Sequence, residues 1–139
     1  MSMRASGLLA LFAVACALGC PGDGSRIPGV MGPPPATTLA NLQTAIFTPI
    51  CSPCHQPGGI GPMPLDTEAN TFANLVDVDS IEIPRLKRVS RGDSENSYLV
   101  WKIEARPTIL FDPMPLGGPL LSQVEIDMIR DWIDAGAQP

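Results

Sequence analysis

The only histidine in the chain follows a pair of cysteines. "CSPCHQPGGIGP" runs from Cys51 to Pro62 and holds Cys51, Cys54 and His55. Two thiols three positions apart, with an imidazole next to the second, support three kinds of chemistry and one inert arrangement. They can add to the two vinyl groups of one haem, which places the following histidine beneath the iron. They can act as a redox-active dithiol, which calls for a βαβ setting. They can begin a zinc site, which calls for a third and a fourth ligand. The inert arrangement is a local disulfide beside a chance histidine, although so short a separation makes a poor staple.

The rest of the sequence weighs these readings. No βαβ pattern is visible. Once an N-terminal leader is removed, Cys20 is the only further cysteine and no second histidine exists, so a tetrahedral Cys/His zinc site cannot be completed. Covalent haem is the expected chemistry, with Cys51 and Cys54 as anchors and His55 as iron ligand. A ligating histidine needs an acceptor for Nδ1–H. Gly58, Gly59 and Gly61 permit positive φ and a close approach to the haem edge, and Pro62 offers a carbonyl from a rigid position. A plain flexible loop is the alternative for this run.

For the sixth iron position, the lack of a second histidine leaves a thioether, a lysine amine or an open site. Met1, Met3 and Met31 precede the expected domain. Met63 lies only 8 residues after His55, and Met128 falls on a helix where packing suits it better. Met114, in "FDPMPLGGP", stands 59 residues beyond His55 with a proline on either side and glycines to turn the chain away. It is the expected distal ligand.

These residues need a small scaffold. The chain has 139 residues, 5 % aromatic content, 13 glycines and 16 prolines, so a buried prosthetic group would supply much of the core. A net charge of −5 argues against nucleic-acid or anionic-membrane binding. Residues 1–19 read as an export signal: Arg4 precedes "GLLALFAVACALG", an apolar run too short to span a bilayer. The run ends in "ALGC", which resembles a bacterial lipobox and makes Cys20 the expected lipidation site, with Ala17 where leucine is usual. Cleavage after "AVA" or "ACA" would instead yield a soluble periplasmic protein. Residues 20–38 form a Gly/Pro-rich tether, and 39–139 the folded domain.

Within that domain, Leu39, Leu42, Ile46 and Ile50 mark one helical face, which Pro49 should end or kink. A short helix is expected over Glu68–Leu75 with Thr67 as N-cap, and another over Ser94–Ile103 capped by Asp93. The last helix opens on a capping box, Ser122 to Glu125, and carries the stripe Ile126, Ile129, Ile133 beside Trp132, with Gly136 as its stop. No period-two alternation appears. The expected fold is all-α: about four short helices and long loops wrapped around one covalent haem.

On these residues the stretch from Leu39 to Ala137 resembles a small bacterial class I cytochrome c domain. The likeness rests on the haem-attachment motif, the Gly61–Pro62 pair and "MPLGGPLLSQVEIDMIRDWIDAGA" from Met114. It implies Cys51 and Cys54 as thioether anchors, His55 as proximal ligand, Met114 as distal ligand, Pro62 as carbonyl partner of His55, and terminal helices that cross. The gap between His55 and Gly61–Pro62 is shorter than in mitochondrial-type cytochromes.

The function expected is one-electron transport between redox partner proteins, in the periplasm or at a membrane surface through a lipid anchor. A haem c subunit of a larger oxidoreductase complex is one alternative. An open-site haem protein, peroxidase-like or gas-binding, is another. No acid/base cluster around a second histidine is present to support catalysis. Arg85, Lys87, Arg88 and Arg91 form a basic island suited to haem propionates, to an acidic partner or simply to solvent. Trp101 either packs in the core or donates to a propionate.

Overall fold

The computed structural model describes residues 37–139, which lie within one compact unit, Pro33–Pro139. The expected signal segment 1–19, the lipidation site Cys20 and all but the end of the 20–38 tether fall outside the described residues. Among the described residues helix is the only repetitive structure and no strand forms, so the domain is all-α. No helix there is long and apolar enough to cross a membrane.

The first helix, α1 (Leu39–Leu42), starts where the Thr38 side chain accepts from the Asn41 N–H. It runs without a break into a π-helical stretch, Gln43–Cys51. Pro49 does not end this helix, which runs on to Cys51. In an α-helix the proline ring would strike the carbonyl four residues back. The wider π turn accommodates it, and the Ser52 N–H reaches five residues back to the Phe47 carbonyl at 2.8 Å. Cys51 is thereby carried to the very end of the helix.

The second helix, α2 (Glu68–Leu75), begins at Thr67, whose side chain accepts from the Asn70 N–H. The third, α3 (Tyr98–Ile103), is shorter than the sequence suggests and starts at Ser97. Asp93 spends its carboxylate on a local turn, accepting from the Asn96 backbone and side chain, and so does not cap a helix. The fourth, α4 (Gln123–Asp134), shows the full capping box between Ser122 and Glu125. Gly136, at φ 102°, ends it.

The core lies where these helices meet. α1 packs on α2 and on α4, and α3 packs on α4. Leu39, Leu42, Ile46 and Phe47 meet Ile126, Ile129, Trp132 and Ile133, all buried. Each such side chain contributes roughly 1.5–3 kcal/mol by leaving water. Ile50, on the expected stripe, is only half-buried and turns toward a cavity. One polar cluster sits inside this core. Gln43 donates to the Leu65 carbonyl at 3.0 Å and accepts from the Thr71 hydroxyl at 2.8 Å, tying the first two helical segments to the loop between them.

A ring of ions fastens α3 to α4. Arg106 grips Glu95 with two bonds, at 2.7 and 2.9 Å, and also reaches Glu104. Arg130 of α4 closes the ring on Glu104 and Glu95. Hydrogen bonds from Arg106 and then Arg130 hold the Glu95 carboxyl down at about 2, below its ordinary 4.5. A carboxylate depressed on folding stabilises fully above its unfolded value and loses that contribution as pH falls through its folded value. The melting temperature should therefore drop as pH is lowered from about 4.5 toward 2. Arg130→Gln should flatten that drop relative to the parent, as should high salt, because Glu95 is exposed and screened. Equal pH slopes for variant and parent in thermal melts would refute the assignment.

Candidate functional site

The Cys51–His55 motif continues the first helix as one further turn. The Cys51 carbonyl accepts from the Cys54 N–H at 3.2 Å and from the His55 N–H at 2.9 Å. This turn brings both sulfurs and the imidazole to the wall of a single cavity of about 330 Å³, within the range of sites that bury a sizeable organic ligand. Met114, Pro62 and Met63 line the same cavity, and Ile50, Leu65, Leu75, Leu99, Ile103 and Leu121 give it an apolar lining.

The motif does not have the electrostatics of a working dithiol. Cys51 and Cys54 are not joined in a disulfide. Burial, and then the neighbouring Cys54, push the Cys51 thiol up to about 11. Reactive dithiols need the opposite shift, commonly obtained at a helix N-terminus, whereas Cys51 closes the C-terminal end of its helix. Among the described residues no group of three or more His, Cys, Asp and Glu side chains lies together.

His55 is oriented by the loop after it. Its Nδ1 lies 3.2 Å from the Met63 carbonyl, one residue beyond the Pro62 carbonyl expected from the sequence. The Gly61 backbone explains the offset. A Cβ built there would sit 2.3 Å from His55 Nδ1, so the chain lies flat against the ring as it passes Gly61–Pro62. The next carbonyl, that of Met63, is the one that reaches the ring nitrogen. Gly61 thus serves the histidine directly. Two bonds hold the loop in this path, Gly61 N–H to Cys54 O at 2.9 Å and Leu65 N–H to His55 O at 2.7 Å. Gly58, at φ 77°, makes the turn before it.

The basic island divides. Lys87 pairs with Asp79 and Arg91 with Asp77, and Arg91 also stacks on Phe72. Arg85 is exposed. Arg88 alone of the four lines the cavity, where it donates to the Asn74 carbonyl at 2.7 Å and has no carboxylate partner among the described residues. Burial lowers its pKa, a sign of its partial removal from water. Trp101 takes neither expected role. It is half-buried outside the core, donates to the Glu95 carbonyl and lies under the Arg106 guanidinium.

Sequence reading missed a polar group in the cavity wall. Lys102 of α3 and Glu82 form an ion pair at 3.1 Å, with the lysine side chain only 8 % exposed. The Tyr98 hydroxyl donates to Glu82, and burial together with that bond pushes the phenol up to about 12, so it remains a donor. Lys102 and Glu82 stand 20 residues apart, and neither belongs to a motif. The only signal was a lysine one position before the apolar Ile103 on a short amphipathic helix.

No protein-family model, curated protein or solved structure matches the chain.

Proposed function

We propose that residues 39–139 form a mono-haem c-type cytochrome domain, cytochrome c-like in fold, that carries single electrons on the periplasmic side of a bacterial membrane. Lipid at Cys20 would tether it there. The observation that carries this reading is the convergence of Cys51, Cys54, His55 and Met114 on one apolar cavity, with His55 Nδ1 already engaged by a backbone carbonyl. Engagement of Nδ1 leaves Nε2 for a metal and fixes the tautomer that a metal requires. The packing of α1 on α4 agrees with the crossed terminal helices that the resemblance implies.

Haem would supply an iron that accepts and releases one electron. Cys51 and Cys54 would hold it through thioethers, and His55 and Met114 would ligate the iron. Arg88 would take an anionic propionate arm, since it is the cavity cation without a carboxylate of its own. The apolar walls would keep water from the site and so favour the less charged, ferrous state. With His55 and Met114 both holding the iron, peroxide or oxygen would find no open site, which favours a carrier, alone or as a subunit of a larger complex, over an enzyme.

The test is a visible spectrum of protein produced in a host with c-type maturation machinery, reduced and oxidised. Ferrous c-type bands should stay with the polypeptide through acid–acetone extraction. They should disappear from the Cys51→Ser, Cys54→Ser double variant. Matured protein without such bands would overturn the proposal. Mass spectrometry of the N-terminal peptide decides lipidation at Cys20.

A further inference from the structure

We infer that Glu82, Tyr98 and Lys102 act as a latch that holds the Met114 segment against the cavity, and so govern whether the sixth iron position stays closed. This rests on the haem reading proposed above and adds positioning residues to it.

The segment from Leu110 to Leu120 has little apolar hold of its own. Leu110, Phe111, Leu116 and Leu120 are 47 %, 83 %, 54 % and 50 % exposed. A segment with so few buried apolar contacts opens locally at low cost unless polar groups fasten it. Its fastenings lie on α3. Leu110 is gripped at both backbone groups: its N–H donates to the Tyr98 hydroxyl oxygen at 3.0 Å, and its carbonyl accepts from Lys102 Nζ at 3.0 Å. Four residues on, the Met114 N–H donates to the Lys102 carbonyl at 3.0 Å.

Glu82 aims the two gripping side chains. It accepts from Lys102 Nζ at 3.1 and 3.3 Å, and from the Tyr98 hydroxyl. An ammonium has three donors, and the three acceptors around Lys102 are the two Glu82 oxygens and the Leu110 carbonyl. With its side chain 8 % exposed, Lys102 has little water to turn to, so releasing Leu110 would strand a buried donor. Glu82, Tyr98, Lys102 and Met114 all line the same cavity, so the latch and the ligand it holds share one wall. Met114 itself contributes one backbone bond to this arrangement. The grip on its segment is supplied from outside.

The readout is carbon monoxide uptake by the ferrous, haem-loaded protein, followed in the visible spectrum beside a thermal melt. Tyr98→Phe removes the hydroxyl grip while keeping the ring. Its uptake rate should rise about tenfold over the parent, which converts to about 1.4 kcal/mol of latch stability. Lys102→Met removes the other grip and should rise further. Arg130→Gln, which weakens the α3–α4 ion ring away from the latch, should lower the melting temperature yet leave uptake at the parent's rate. If Lys102→Met does not fold, Tyr98→Phe decides alone. A closed parent whose folded Tyr98→Phe variant stays equally closed overturns the latch and leaves the cytochrome reading standing. A parent that itself takes up carbon monoxide freely overturns the latch together with the Met114 assignment.

Discussion

Replacing Gly61 with alanine is expected to disable the site even though Cys51, Cys54, His55 and Met114 all remain. The added Cβ would stand 2.3, 2.6 and 2.8 Å from Nδ1, Cε1 and Cγ of His55. Carbon cannot approach so closely, so either the ring or the loop must move. The ring is bound to the Met63 carbonyl, and the loop is bound to Cys54 and His55 through the Gly61 and Leu65 N–H groups. Any relief therefore breaks at least one of these bonds. Overpacking costs about 1–3 kcal/mol, and a stranded buried polar group about another 1–3. The sum is a large part of the roughly 5–15 kcal/mol that stabilises an ordinary domain. Gly61→Ala should lower the melting temperature strongly, and, on the proposed haem reading, the surviving protein should carry little haem. Gly58→Ala is the informative contrast. A Cβ at Gly58 meets nothing within 4 Å, so only the positive φ is strained, at about 1 kcal/mol. On the same reading that variant should load haem as the parent does. Equal haem yields for the two would remove Gly61 from the account of how His55 is seated.

Gly61 also marks how far sequence reasoning reached. The motif, the need for an acceptor at Nδ1 and the helices with strong caps were legible, because each follows from local chemistry. Thr67 and the Ser122–Glu125 box act within one helical turn of themselves. The identity of the acceptor was not legible, because it depends on how far the chain advances while it lies against a ring, and that shifted the carbonyl from Pro62 to Met63. Pro49 was read by the rule for α-helices, whereas the helix widened to a π turn around it. Asp93 could cap a helix or close a turn, and its sequence neighbours do not distinguish the two. The Glu82–Lys102 pair and the Gln43–Thr71 pair were invisible for a different reason. Each joins residues from separate stretches of chain, 20 and 28 positions apart, and only packing brings them together.

The two methionines of the cavity should respond oppositely to truncation. Both Met63 and Met114 line it, and composition alone does not separate them. Their backbones do. Met63 gives its carbonyl to His55 Nδ1, so its place is fixed beside that histidine, and its side chain packs against the core. Met114 is tied instead to α3, by its N–H to the Lys102 carbonyl, and reaches the cavity from a different segment. On the proposed reading, Met114→Ala removes a thioether that favours ferrous iron. The potential should fall, and the ferrous protein should change from inert to carbon monoxide into a stoichiometric binder. Met63→Ala should leave the sixth position closed and cost stability instead, roughly 2–5 kcal/mol at most for a methionine in a core and less here because the residue is only half-buried. Spectra under carbon monoxide, a potentiometric titration and a thermal melt on the same pair of variants separate the roles. If Met63→Ala opens the site and Met114→Ala does not, the ligand is Met63 and the segment held by α3 is only a lid. If neither variant opens the site, the sixth position is filled by something other than a thioether, and Lys102, the one lysine among the cavity's lining residues, is the next side chain to examine.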